Sequence, residues 1–387
     1  LMTLQVLHSA MVGAPTISGQ SGTLTTMLKA CLVDGFGLVT LDSLVVAGGV
    51  ATATRAAGHS QSVGDSVTIA GATPGGLNGD KVVLTATVNT FTFDATGISD
   101  QTATGTITAK VTPLGWTREF NATNVEVFRS PNVAGTRHYL RVDDGGAEPR
   151  DARVVSYETM SDVSTGTNPS PSVAQLSGGG FWTKSNSANS TVRSWVLAGD
   201  DRTFYLSVNH SGNSAYSTYA FGDIESFKSG GDAYGSMLQC SNVTISTQNS
   251  GSQASDVDYL DSETTTHLGT YLSRSYTGLG TSILGKRAMP FPMAAITTGV
   301  RSGASGFWQY PNGPDGGLYL ARPLVFETTL AAIRGRMRGI HVCPQAIGAA
   351  TFSHLEEVTG VTGLSGRKLK AVNSLTGVFF YDRTGPW

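Results

Sequence analysis

The sequence predicts a mainly β protein: several small sandwich- or barrel-like domains and one short N-terminal amphipathic helix. Three observations carry that expectation. Glycine supplies 48 of the 387 residues, nearly double the usual ~7%. Charged residues make up only 14%, against roughly 25% in an ordinary globular chain. Short runs rich in Val, Thr, Ile and Phe recur between Gly, Pro, Asn and Asp turn signals, as half-buried strands require. Hydrophobic residues are 40% of the chain, enough for real cores.

The helix comes first. Leu24, Met27, Leu28, Cys31 and Leu32 recur at the spacing of one buried helical face. Ser21 is placed to cap its start, and Gly35 and Gly37 to end it. This helix belongs to an N-terminal segment, 1–45.

Residues 46–112 read as a compact β module. Its expected strands are Leu44–Val46, Val50–Arg55, Ser66–Ile69, Lys81–Val88, Thr90–Phe93 and Gly105–Val111. Gly48-Gly49, Val63-Gly64-Asp65, Pro74-Gly75-Gly76 and Asn78-Gly79 mark turns. Alternation in Thr90-Phe91-Thr92-Phe93 puts both rings on one face and both hydroxyls on the other.

A β domain is expected over 113–248, with strands at His138–Val142, Arg153–Tyr157, Thr191–Leu197, Thr203–Val208 and Asn242–Thr247. The strongest hairpin signal is Ser194–Leu197 and Thr203–Val208 around Gly199-Asp200-Asp201-Arg202. Asp143-Asp144-Gly145-Gly146 reads as another turn, and Phe221–Ile224 as the start of a short element. Gly178-Gly179-Gly180-Phe181-Trp182 lacks the strand and helix that flank a nucleotide loop, and reads as a turn beside an aromatic anchor. The polar stretch 249–281 reads as a linker or exposed loop. The C-terminal β-rich region is 282–387, with strands at Leu318–Leu320, Leu324–Glu327, Ile340–Cys343 and Val378–Asp382. Thr329–Met337 is the one candidate helical turn there.

Composition and motifs restrict the chemistry. A formal net charge of -2 lacks the basic excess of a nucleic-acid binder, so no nucleic-acid partner is expected. No run of about 18 apolar residues predicts a membrane span. The apolar N-terminus has no basic region and does not read as a signal peptide. Cys31, Cys240 and Cys343 are odd in number and far apart, and are expected as reduced, buried thiols. The seven histidines are scattered singly. No serine-hydrolase elbow, zinc-protease helix, phosphate-binding loop or calcium-loop spacing occurs. No catalytic residue, metal ligand or cofactor is therefore expected, and the chain is read as non-enzymatic.

Three clusters stand out. Asp256, Asp258, Asp261 and Glu263 put four carboxylates close together, as a Ca2+ loop would, although a solvated loop is the simpler account. Phe307, Trp308 and Tyr310 set three aromatics beside the turn residues Pro311 and Asn312. Such rings serve as partner contacts or plug a sandwich edge. Arg334, Arg336 and Arg338 alternate and would share one face of a strand, either solvated or meeting an acidic partner.

Within the β module, a set of residues resembles small modules of tailed-bacteriophage structural proteins. They are Gly58-His59-Ser60, Val63–Ala72, Leu77-Asn78-Gly79, Asn89-Thr90-Phe91-Thr92-Phe93 and Ala103–Ile107. In those proteins a VGDSVTI-like strand precedes an Asn-Gly turn and an NTFTF-like strand. The likeness covers about one seventh of the chain, and Met27–Gly37 and Tyr157–Gly166 are similar to virion proteins too. The resemblance implies a structural, multi-copy virion component of the tail or neck. It would be made in the host bacterial cytoplasm and assembled with other virion proteins, as a homo-oligomer. A head decoration protein, a receptor- or glycan-binding tail protein and a depolymerising tailspike are the alternatives it leaves. It transfers no functional residue.

Overall fold

The computed structural model describes residues 4–212, 216–244, 268–288, 308–328, 332–347, 351–373 and 378–385. The fold is mainly β and built from antiparallel sheets. Among the described residues the only helices are an α-helix, Thr23–Lys29, continued by a π-helical turn, Ala30–Asp34, and a 3-10 turn, Gly75–Leu77. All five residues of the predicted helical face are fully buried. Gly35 ends the π-turn at φ 75°, with its N–H bonded to the Ala30 carbonyl. At the helix start, the Asp144 carboxylate accepts the Leu24 N–H at 2.8 Å. Local sequence points to Ser21, but this partner lies 120 residues away.

The chain divides into two compact units. One comprises Leu7–Pro15 and Met27–Leu114; the other comprises Leu1–Val6, Thr16–Thr26 and Gly115–Trp387.

The smaller unit holds an eight-stranded sheet. Its order is Phe36–Thr40, Thr108–Val111, Ser66–Ala70, Gly79–Ala86, Thr90–Asp94, Val50–Thr54, Ser43–Ala47 and Gln101–Thr102. Phe91 and Phe93 point inward and are buried, as the alternation predicts. They join Leu44, Val46, Val67, Ile69, Val83 and Ala109 in one cluster. The longer strands give this cluster one face, so the sheet curls around a single core. Gly48 (φ 58°) and Gly49 (φ 77°) turn the Ser43–Ala47/Val50–Thr54 hairpin in the left-handed region that glycine tolerates. The unit begins earlier than 46. Phe36–Thr40 pairs with Thr108–Val111, and Leu44 opposes Ala53. Strand Phe36–Thr40 is hidden in the sequence because two glycines flank its first residue, and Gly37 reads as a helix stop.

The larger unit is organised by one branched sheet of fifteen strands among the described residues. Its main path starts with Thr117–Ala122, Val125–Arg129, Tyr139–Asp143, Asp151–Tyr157 and Gly180–Thr183. It continues through Ser236–Ser241, Leu268–Leu272, Ile283–Ala288, Leu324–Glu327, Ala332–Arg336 and Glu225–Ser226. Ser217–Asp223 also pairs with Ser236–Ser241 and leads through Thr203–Val208 to Trp195–Gly199 and Gln5–His8. The predicted hairpin is present in register, Gly199 opposite Phe204, with the Asp200 N–H bonded to the Thr203 carbonyl at 2.9 Å. The unit also holds a four-stranded sheet, Ile340–Val342, Val378–Asp382, Leu369–Asn373 and Glu357–Val358, and two two-stranded ones.

Several expectations change here. From Gly115 onward, the described residues of the expected regions 113–248, 249–281 and 282–387 belong to one unit. Leu268–Leu272, inside the expected linker, pairs on both sides with Ser236–Ser241 and Ile283–Ala288. In place of the strand expected at Asn242–Thr247, of which 242–244 are described and lie outside any strand, the ladder runs through Ser236–Ser241, where all six residues are buried. Phe221-Gly222-Asp223 ends a strand, Ser217–Asp223, rather than starting one. The run Leu318–Leu320 reduces to a single bridge between Tyr319 and Thr362. Within Thr329–Met337, residues Ala332–Arg336 form a strand. Its neighbours Leu324–Glu327 and Glu225–Ser226 supply ladder partners that no local helical propensity can match.

Trp182 is the anchor expected after the glycine run. It is fully buried, and its Nε1–H donates to the Gln239 carbonyl at 2.7 Å. The three cysteines are buried and none is in a disulfide, and burial pushes the Cys343 thiol up to about 12.

Candidate functional site

Two polar assemblies in the larger unit carry chemistry. The first surrounds a cavity of about 350 Å3 lined by Thr136, Arg202, Asp223, Glu225, Asp232 and Arg338, with Lys228 exposed beside it. Asp223 ends strand Ser217–Asp223, which carries its carboxylate to the segment Ala134–Thr136. Asp223 Oδ1 accepts the Thr136 N–H at 3.1 Å and its hydroxyl at 2.6 Å, and Oδ2 accepts Arg202 Nε–H at 2.7 Å. A Cβ at Gly135 would lie 2.5 Å from Asp223 Oδ2, so a side chain there would have to displace the carboxylate.

Asp232 is reached through Gly230 (φ 78°) and Gly231 (φ 94°), a turn that side chains rarely tolerate. Its carboxylate takes Arg334 Nε at 2.6 Å and Nη2 at 2.8 Å, plus the Ser226 hydroxyl at 2.6 Å. Burial alone would raise the Asp232 pKa, but the bonds from Arg334 and Ser226 outweigh it and hold the carboxyl below its ordinary range. Arg334 also pairs with the fully buried Glu327. Arg322 pairs with Glu225, and Arg338 Nη2 lies 2.9 Å from Asp200 Oδ2. The cavity wall thus intersperses guanidinium and carboxylate groups. Fixed donors and acceptors of this kind suit a polar, hydroxyl-bearing ligand.

The second assembly is fully enclosed. Lys184 and Asp144 have no side-chain exposure, and Lys184 Nζ contacts Asp144 Oδ1. Nζ also donates to the Gln20 carbonyl at 2.7 Å. Asp144 sits in the expected turn after Tyr139–Asp143, and Lys184 follows strand Gly180–Thr183. Burial pushes the Asp144 carboxyl up and the Lys184 ammonium down, each against the pull of its partner. Asp151, also buried, accepts the Thr183 hydroxyl and acts on Lys184 as a nearby negative charge.

The aromatic trio is only partly placed. Phe307 lies outside the described residues. Trp308 belongs to the two-residue strand Trp308–Gln309, paired in parallel with Gln345–Ala346. Tyr310 is half-buried, its ring 5.7 Å from Phe352 and packed on the cluster of Cys343, Ile347 and Phe380. Asp256, Asp258, Asp261 and Glu263 lie outside the described residues. The arginine series splits. Arg334 and Arg338 are buried in ion pairs, whereas Arg336 is exposed with its guanidinium 5.1 Å from the Phe227 ring centre.

Sequence reasoning misses the Asp144–Lys184 pair and the cavity. Asp144 and Asp223 carry a visible signal, a carboxylate at a turn or strand end, but their partners are set by folding alone. Among the described residues no group of three or more His, Cys, Asp or Glu is arranged to hold a metal ion. No described helix is long and apolar enough to cross a membrane. Comparison with models of known families and with curated proteins finds no match.

Proposed function

We propose that this chain is a non-enzymatic structural subunit of a tailed-phage particle, belonging to the tail or neck and present in multiple copies. One observation carries the reading. The residues that resemble phage structural modules, from Gly58 to Ile107, all fall within one compact unit with its own apolar core. A module of that kind can be carried on a larger β body without sharing its core. Other virion proteins and further copies of the chain are its proposed partners, and the virion its proposed location.

Mass spectrometry of purified phage particles from a producing culture tests this. The chain should be recovered at a fixed stoichiometry with other particle proteins. Its absence from particles, with the protein present elsewhere in the lysate, would sink the reading.

The cavity at Arg202 and Asp223 favours a second reading, a glycan-binding tail protein. Its walls offer paired charged groups to sugar hydroxyls. Retention of the chain on immobilised host surface polysaccharide, lost in Arg202→Ala, would favour that reading over a purely structural role.

A further inference from the structure

We propose that Lys184 and Asp144 condense into an intramolecular amide, a covalent staple inside the larger unit. The proposal does not depend on the particle role. Lys184 and Asp144 meet, and a third buried carboxylate, Asp151, is bonded to the hydroxyl of Thr183, the residue before Lys184. The amine and the carboxyl are in direct contact, with no side-chain exposure on either.

Burial disfavours both charges, which favours passage of the proton from Nζ to the carboxyl. The neutral pair is the reactant state for amide formation. The Nζ lone pair attacks Cγ of the protonated carboxyl. Negative charge then develops on Oδ2, where the Leu24 N–H already donates from 2.8 Å. Asp151 accepts the proton that Nζ sheds and passes it to the departing Oδ1 hydroxyl. The Cγ–Oδ1 bond breaks, the Nζ–Cγ bond remains, and one water leaves. Nothing is oxidised or reduced.

Two physical factors favour the step. Contact in a fixed geometry substitutes for reactant concentrations of about 10^5–10^8 M. The product amide also removes two ionisable groups from a site whose burial disfavours their charged forms. The Gln20 carbonyl, now bonded to Nζ at 2.7 Å, can accept the amide N–H.

The test is the mass of the full chain under denaturing acid conditions, followed by tryptic mapping. The expected mass is below that of the sequence by one water. Peptide 142–150 should emerge joined to 154–193, because trypsin cannot cut at an acylated Lys184. The full sequence mass after prolonged incubation, with both peptides linear, overturns the proposal. This readout on the unaltered chain needs no variant to fold. Asp151→Asn, checked for native far-UV dichroism, should slow formation of the lighter species at least ~100-fold. An unchanged rate would overturn the proton-carrying role of Asp151.

Discussion

Asp200 and Arg338 meet across 138 residues of chain, carboxylate oxygen to guanidinium nitrogen at 2.9 Å, and both are buried. The other oxygen of Asp200 accepts the N–H groups of Arg202 and Thr203 at 2.9 and 2.8 Å. One side chain therefore closes the Trp195–Gly199/Thr203–Val208 hairpin and neutralises a distant arginine. Asp200→Ala removes both functions, breaking a buried ion pair. The expected loss is about 3–5 kcal/mol, measured by urea unfolding. A loss within about 0.5 kcal/mol would refute the coupling.

Trp182 should be the costliest aromatic to truncate in the larger unit. It is fully buried, bonds the Gln239 carbonyl, and stacks on Tyr219 with ring centres 5.7 Å apart. Trp182→Ala is expected to cost about 3–5 kcal/mol. Trp182→Phe should cost less, keeping most of the packing and losing the hydrogen bond. Chemical denaturation of both variants checks the order.

The smaller unit should fold alone if its first strands are kept. A 27–114 fragment retains Phe36–Thr40 and Ser43–Ala47 with their partners. It is expected to unfold in one cooperative transition, whereas 46–112 loses a ladder on each side and should not. Calorimetry of the two fragments decides, and equal cooperativity would show that the early strands are dispensable.

Stability should fall on acidification. Burial lowers His210 from its ordinary 6.5 to about 4, aided by Arg193, and burial likewise lowers His341 to about 4. Both are neutral in the fold at neutral pH. The unfolded chain takes up their protons first as pH drops below about 6.5. Their contribution is therefore fully present above that pH and is lost down to about 4, roughly 3 kcal/mol for each. Urea midpoints across this window should decline, and His341→Gln should flatten the decline. An unaltered slope in that variant would exclude His341 as a source.

Tyr310 tests what the aromatic loop does. Its ring packs on Phe352 and the neighbouring core. Tyr310→Ala should destabilise the isolated chain by about 1–3 kcal/mol. An unchanged melting temperature, with impaired assembly, would favour a partner contact instead.

Features encoded by neighbours in the chain are legible in the sequence. The alternating Phe91 and Phe93, the Gly199–Arg202 hairpin and the apolar helical face each depend on a period of two or 3.6 residues, or on turn chemistry within four positions. The aromatic anchor Trp182 is legible because a glycine run directly precedes it. The aromatic loop and the acidic cluster rest on composition, which proposes surfaces without placing them.

Tertiary structure decides which distant groups meet. Strand Ser236–Ser241 is buried throughout, and its mix of Ser, Gln and Cys carries no alternation to read. Ala332–Arg336 has helix-forming residues, yet ladder partners on both sides make it a strand. In the sequence Arg334 reads as one charge of a surface series, but Asp232 and Glu327 enclose it. Asp144 reads as a turn residue, and folding brings it to Lys184, 40 residues on, and to the helix start 120 residues back. Periodicity records how each segment meets its own core. Ion pairs and ladder partners depend on separations that no local pattern encodes, because their free energy is gained only once the intervening chain has folded.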